Sequence, residues 1–586
     1  MTKLFNDPAD FPHELIEGFA AAYPDLIEAV PGGVVRSTAY EGVAVIAGGG
    51  TGHYPAFCGL VGQGLVHGAA MGNVFSSPSS HQVYTVAKAA ERGHGVVFTF
   101  GNYAGDVLHF GEAAERLRAE GIPADIVLVT DDIASAPAHE RHKRRGIAGD
   151  LAVFKILGAA ADEGRTFEEV IRLGNHANDR ARSFGIAFAG CTLPGAERPL
   201  FAVPEGMMSL GLGIHGEPGI EDVPLGSALE VATLLVERVL AERPEGACNR
   251  ISVLLNGLGT VKYEELFVTY RTIAALLAEH GLVVVSPDVG ELCTSLNMSG
   301  ISLTIFWLDD ELERLWTSAS HAPAYRKGSM GHARMLDATE RAALVAKAIE
   351  RRPADTRGTA ASQEAASCIV AALRTLTRTV ANSAEELGRI DAIAGDGDHG
   401  IGMERGARAA LRAAEGAHEG GAGAGTVLRL AGEAWADVAG GTSGALWGTG
   451  LKAIGREFGD HDAINAARVA AAVGAARAEI GRRGRAKLGD KTMMDVLIPY
   501  SELIEQLASE QRMSSKDWLK AAELSLEWAA LTRDLVPQLG RARPLAERSV
   551  GAVDAGAWSL SLIISAVTDQ LTSHRAVNRR KGPAHP

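Results

Sequence analysis

The hydrophobic pattern of the chain changes period once, and it does so after residue 332. From about residue 40 to 330, short β-branched runs alternate with stretches of helical spacing, as in an α/β fold. Strands are expected at Val43 to Ala47, Val96 to Phe100, Ile126 to Thr130, Ile251 to Leu255, Leu282 to Ser286 and Ile301 to Trp307, with parallel pairing prominent. A break near residues 180 to 190 splits this part into two α/β lobes, 1–185 and 186–332. Residues 333–365 are charged, small and partly helical in pattern, as a linker would be. In 366–586 Ala, Leu and Arg dominate, and Met493, Leu497, Tyr500, Ile504 and Leu507 repeat at helical spacing, so an all-α domain is expected there.

The length of 586 residues, with 46% apolar and 22% charged, supplies several buried cores and argues against wholesale disorder. The net charge of −14 argues against a nucleic-acid backbone or an anionic membrane surface as the main partner. An anionic ligand must therefore be met locally, by a loop, a helix start or a metal ion. The amino terminus has no apolar signal segment, and no run reaches the ~18 apolar residues of a spanning helix, so a soluble protein is expected. Five cysteines, an odd number without a C-x-x-C pair, suggest neither a disulfide framework nor a zinc site and fit a reducing cytoplasm. The basic tail at Arg579-Arg580-Lys581 reads as a solvated end.

Glycine, 69 of 586 residues, is well above the usual ~7%, so many close-approach loops are expected. Gly48-Gly49-Gly50-Thr51-Gly52-His53 follows a strand, but His53 takes the third glycine position of a dinucleotide fingerprint. A ligand approached by bare backbone and a tight strand-to-helix turn both remain open there. Gly484 to Thr492 is not a P-loop, because Asp490 separates the last glycine from Lys491. Asp391, Asp396 and Asp398 lie within eight residues ahead of a helical stretch, where their mutual repulsion calls for a cation and their hard oxygens suit Mg²⁺. Helix caps are the plainer reading, and an EF-hand is excluded by Gly400 and Ile401. Gly440-Gly441-Thr442-Ser443-Gly444 fits either a phosphate-wrapping loop or a simple turn. His215, walled by glycines in Gly211 to Gly219 and followed by a proline turn, is open to an incoming ligand or is a loop histidine.

Taken together in order, Gly48 to His53, Asn102-Tyr103-Ala104-Gly105-Asp106, Gly213 to Gly219, Thr294-Ser295-Leu296-Asn297-Met298, the aspartate cluster, Gly489-Asp490-Lys491-Thr492-Met493 and Arg548-Ser549-Val550-Gly551 resemble the single-chain, ATP-dependent dihydroxyacetone kinase family, which includes erythrulose kinases. The resemblance spans nearly the whole chain and implies a two-lobed α/β ketose-binding unit joined to an eight-helix barrel for ATP and Mg²⁺. It implies that His215 captures the ketone as a covalent hemiaminal. Asp106 is then the base for the terminal hydroxyl, His53 assists at the carbonyl oxygen, and Gly50 and Ser77 hydrogen-bond the ketose. Two Mg²⁺ would sit on Asp391, Asp396 and Asp398. Thr442, Ser443 and Gly444 would hold phosphates with Arg541, while His399, Met493 and Asp554 border the nucleotide. A homodimer with crossed domains would bring the two sites together.

Three positions depart from the dihydroxyacetone-specific pattern as this resemblance gives it: Gly101 replaces a lysine, Tyr54 a glutamate and Phe57 a histidine. Loss of the lysine stem leaves room near a hydroxyl end and favours a four-carbon ketose such as erythrulose, with dihydroxyacetone second. A phosphotransferase-type subunit with fixed ADP is disfavoured by the fusion of both units. A non-catalytic ketose-sensing regulator is disfavoured by the presence of His215, Asp106 and all three aspartates. A side activity on FAD-like nucleotides is not readable from the residues.

Overall fold

The computed structural model describes residues 3–217, 219–329, 334–348, 357–395, 397–539 and 546–580. Two units emerge, Met1–Arg351 and Arg352–Pro586. In the first, valines, isoleucines and phenylalanines build a six-stranded sheet in the order Ile27–Val30, Gly33–Arg36, Gly68–Val74, Ala44–Thr51, Val96–Gly101 and Ala124–Val129. The last four strands run parallel. Neighbouring residues such as Val45 and Ile46, or Val97 and Phe98, enter different cores on opposite faces. Burial on both faces is why these strands read as unbroken apolar runs.

The glycine run is not the turn considered above. It continues the strand, with Gly48, Gly49 and Gly50 opposite Ala70, Met71 and Gly72. A Cβ on Gly49 would stand 2.4 Å from the Phe57 ring, and one on Gly50 2.6 Å from the Ser76 amide nitrogen. Only bare backbone fits between those neighbours.

The second sheet corrects an expectation. Parallel pairing joins Arg250–Gly257 only to the short strands Val283–Val284 and Asp288–Gly290. Ser299–Trp307, Ala181–Ala189, Met207–Leu210 and Glu221–Pro224 follow in antiparallel order. Arg250–Gly257, Ser299–Trp307 and most of Ala181–Ala189 are also buried on both faces, and a continuous apolar run carries no mark of direction. The lobe boundary expected at 185/186 falls inside Ala181–Ala189, and the paired strand begins at Ala181. One hydrophobic core spans both sheets around helix Asp150–Asp162, which is buried on every side over most of its length. A helix apolar all round can be stable only in such a position. Within the expected linker, helix Ala338–Ala348 packs on helix Ser80–Ala90 of the first unit, and the division between units falls at 351/352.

The second unit has eight long helices among its described residues: Ala360–Asp391, His399–Glu419, Ala424–Ala439, Gly441–Phe458, Ala466–Gly484, Met494–Ser509, Ser515–Leu531 and Ala555–Arg580. Each packs on the next, and the last returns to the first, which closes the ring. The expected face is present: Met493 is buried just ahead of the helix, and Leu497, Tyr500, Ile504 and Leu507 are buried along it. Antiparallel neighbours in a closed ring bring alternate connections to one end. The connections after Asp391, Ala439, Gly484 and Leu531 therefore share an end, and so do the amino termini of four helices.

Candidate functional site

His215 lies on the loop between strands Met207–Leu210 and Glu221–Pro224 and is 6% exposed. Its Nδ1 donates to Glu217 Oε1 at 3.3 Å, while its backbone N–H donates to Glu217 Oε2 at 2.9 Å. Gly213 leaves room for that carboxylate, since a Cβ there would stand 2.2 Å from Oε2. A carboxylate can only accept, so the proton is held on Nδ1 and the lone pair stays on Nε2. Behind Glu217, Arg145 approaches at 3.9 Å and pairs with buried Asp132 at 2.8 Å.

Three rings stand edge-on to the His215 imidazole: His53 at 4.6 Å, Tyr103 at 4.4 Å and Phe75 at 5.7 Å between centroids. His53 stacks on Phe75 and donates from Nδ1 to the Thr294 carbonyl at 2.8 Å. Asp106, in the first turn of helix Ala104–Ala119, accepts from the Ser77 hydroxyl at 2.7 Å and is buried. Gly50, at the carboxyl end of its strand, lies against the Phe75-Ser76 backbone. Four positions that sequence placed in the ketose site thus fall into two contacting pairs, His53 with His215 and Ser77 with Asp106.

Tyr103, Phe75, Thr294, Glu217 and Arg145 were assigned no role from sequence. Tyr103, Glu217 and Thr294 stand inside the motif strings, and Glu217 follows His215 by two, a spacing that brings a carboxylate back to an imidazole. Burial first, and then the Glu217 charge, hold the Tyr103 hydroxyl well above its usual range, so it stays protonated and donates to the Gly146 carbonyl at 2.9 Å. The departures pack as follows. Phe57 is buried edge-on to His53, and Tyr54 is partly exposed against Phe19. The space beside Gly101 is not open: a Cβ there would meet the Tyr103 ring at 3.0 Å and the Gly146 carbonyl oxygen at 3.2 Å.

In the helical unit the shared end holds His399, Ser443 and Thr442 at helix starts. His399 bridges Ser443 Oγ (3.2 Å from Nδ1) and Ser559 Oγ (3.0 Å from Nε2), which ties three helix starts together. Gly440 and Gly441 both have positive φ, 61° and 58°, which lets one helix end and the next begin without a loop, with Thr442 exposed in its first turn. The positive ends of four helix dipoles favour an anion here.

Burial pushes the Asp398 carboxyl up to about 7, with the charge of Asp391 adding and Arg405 opposing. Asp554 also rises to about 7, through burial and the charges of Asp391 and Asp495, against the Ala557 amide and Lys491. This is a hard-oxygen donor set short of positive charge, and a divalent cation fits it. Among the described residues no three ligating side chains come close enough to hold one ion. Asp396 and Arg541 lie outside those residues. Met493 is buried at the start of helix Met494–Ser509. Lys491, also without a role from sequence, donates to the carbonyls of Leu535, Ser549 and Ala552 and so pins the 548–554 segment to the Gly489 turn.

Residues 17–324 match the Dak1 domain family and residues 393–569 the DAK2 domain family. The chain is 56% identical, over 98% of its length and 97% of the relative, to the L-erythrulose kinase of Pectobacterium atrosepticum. It belongs to the dihydroxyacetone and erythrulose kinase family. A D-erythrulose kinase of Mycolicibacterium smegmatis is 49% identical, over 98% of this chain and 99% of its own length. Among solved structures, the dihydroxyacetone kinase of C. freundii in complex with AMP-PNP and Mg²⁺ is 28% identical, covers 97% of this chain and 99% of its own, and has a TM-score of 0.51. The Dak1 match covers the α/β unit and the DAK2 match the helical one. Among the described residues no helix is long and apolar enough to cross a membrane.

Proposed function

We propose that the chain is an ATP-dependent kinase that phosphorylates the terminal hydroxyl of erythrulose held as a hemiaminal on His215. The observation that carries the reading is the pairing of His215 Nδ1 with Glu217, in a chain similar over its length to erythrulose kinases. With its proton fixed on Nδ1, the imidazole adds its Nε2 lone pair to the keto carbon. The carbonyl π pair moves to oxygen, which takes a proton from the His53 imidazolium. His53 is left as the neutral tautomer that the Thr294 carbonyl stabilises, and the positive charge passes to the His215 ring beside Glu217. Asp106, oriented by Ser77, then removes the proton of the terminal hydroxyl, whose oxygen becomes the nucleophile for phosphoryl transfer. Gly50 would leave backbone free to meet the ketose.

Asp391, Asp396 and Asp398 would hold Mg²⁺, which supplies charge neutralisation during transfer. Thr442, Ser443, Gly444 and Arg541 would meet phosphates, and His399, Met493 and Asp554 would border the nucleotide. Ketose and nucleotide residues lie on different units, and a homodimer with crossed domains would unite them. Five cysteines, all free among the described residues, suit a reducing cytoplasm. Dihydroxyacetone is the second reading, favoured by the closed space beside Gly101.

ADP release with Mg²⁺-ATP across L-erythrulose, D-erythrulose, dihydroxyacetone and glycerol tests both. One erythrulose enantiomer is expected to have the highest kcat/KM, with glycerol inert because it has no carbonyl. Turnover of glycerol would remove the hemiaminal, and a preference for dihydroxyacetone would move the substrate to three carbons.

A second expectation follows from the two carboxyls raised to about 7. Folded and metal-free, they bind protons that the unfolded chain releases near pH 4, so the helical unit loses stability as pH rises from about 4 through 7. Mg²⁺ with ADP needs those carboxylates ionised and offsets the loss. In calorimetry, Mg²⁺-ADP should raise Tm more at about pH 8 than at about pH 5.5; an increment independent of pH would contradict this.

A further inference from the structure

Glu217 supports His215 and also endangers it. A carboxylate 3.3 Å from an imidazole favours the ring's cation, and a ring protonated on both nitrogens has no lone pair with which to attack a ketone. Something must offset that charge without displacing the contact. The residue placed to do so is Arg145, whose Nη1 stands 3.9 Å from Glu217 Oε2. This nitrogen is buried and has no hydrogen-bond partner among the described residues. Gly213 borders both groups: a Cβ there would stand 2.2 Å from Glu217 Oε2 and 2.8 Å from Arg145 Nη1. Guanidinium and carboxylate thus face each other beside a gap that only glycine leaves open.

Arg145 is itself held from behind. Its Nε donates to Asp132 Oδ2 at 2.9 Å, and its Nη2 stands 2.8 Å from the same oxygen and donates to the Gly211 carbonyl at 3.3 Å. Its backbone N–H donates to Ser135 Oγ at 2.9 Å, and its carbonyl accepts from the Asp132 N–H at 3.1 Å. Asp132 is fully buried, and Arg145 and Glu217 are nearly so. The line Asp132, Arg145, Glu217, His215 therefore alternates in charge, from just past strand Ala124–Val129 to the loop that carries the nucleophile. The three fixed charges sum to one negative charge, which the ring balances when capture makes it cationic. Without the arginine, two buried carboxylates would hold the ring protonated before a ketose arrived.

We infer that Arg145 is a positioning residue that acts through Glu217, offsetting its charge so that the carboxylate orients the imidazole while Nε2 keeps its lone pair for the ketone. This rests on the hemiaminal reading above. The other titratable groups around the pair do not supply a standing positive charge. Tyr103 is a neutral donor to the Gly146 carbonyl, and burial pushes the Cys191 thiol, within the field of Glu217, up to about 11. His53, edge-on to His215, gives its proton away during capture.

The experiment follows adduct occupancy on the full chain against pH by native mass spectrometry, at a fixed subsaturating concentration of the preferred erythrulose, for Arg145→Met, Arg145→Lys and Asp132→Asn. Loss of a cation raises the pKa of carboxyl and imidazole alike, so the acid-side limb of the profile should move up by about one pH unit in Arg145→Met. Below that limb occupancy is expected to fall about tenfold, and to recover as pH is raised. Arg145→Lys keeps the charge and should leave the limb near its original place. Asp132→Asn removes the opposing anion and should move the limb the other way, to lower pH. A general loosening of the fold would not shift two variants in opposite directions. A limb that stays put in both Arg145→Met and Asp132→Asn, or moves the same way in both, would overturn the assignment. If Arg145→Met fails to fold, Asp132→Asn decides alone, and a limb unmoved or raised there overturns it. Absence of any adduct on the unsubstituted protein would instead overturn the hemiaminal reading, and the assignment with it.

Discussion

His215→Ala is expected to lower kcat/KM on the preferred ketose by at least about a thousandfold, the scale on which removal of a covalent nucleophile is felt. The surrounding rings do not offer a substitute. Phe75 and Tyr103 have no amine, and His53 is oriented by its bond to the Thr294 carbonyl. Native mass spectrometry should show the ketose adduct on the unsubstituted protein and none on the variant. ADP binding, measured by calorimetry, should be unchanged because the nucleotide residues lie on the other unit. An adduct of full occupancy on His215→Ala would place the nucleophile elsewhere.

Asp106→Asn should separate capture from transfer. The amide keeps the shape and the contact with Ser77 but cannot take a proton, so kcat is expected to fall by about 10² to 10⁴. The adduct should still form, because the change leaves His53, Phe75, Tyr103 and Glu217 in place around the His215 ring. Adduct present with ADP release nearly gone is the expected pair of results. Loss of both together would mean that Asp106 acts in capture, and the division of labour between the two pairs would be wrong.

Half of the first sheet was legible, because three of its strands are short β-branched runs closed by glycine, asparagine or aspartate, whereas Ile27–Val30, Gly33–Arg36 and Gly68–Val74 were not expected. Direction in the second sheet was not, since Ile251 to Leu255 and Ile301 to Trp307 look alike whether paired parallel or antiparallel. His215 was visible as a histidine among glycines, yet its role came from family resemblance, because nothing local announces a nucleophile. The walls of its pocket were hidden for a different reason. Phe75, Tyr103 and Thr294 reach the site from segments far apart in sequence, and only folding makes them neighbours. The aspartate cluster, by contrast, is local, and its crowding could be read from spacing alone.

The strand through Gly48, Gly49 and Gly50 has a consequence for how such a catalyst can change its diet. Each of those positions already touches a neighbour closely enough that a methyl group would collide with it. That flank of the cavity is frozen, and no ordinary substitution there can reshape it without moving the sheet. Novelty in the sugars accepted must then arise where side chains rather than backbone set the contour, at Phe75 and Tyr103. A library aimed at new ketoses should spend its diversity there and leave the glycines alone.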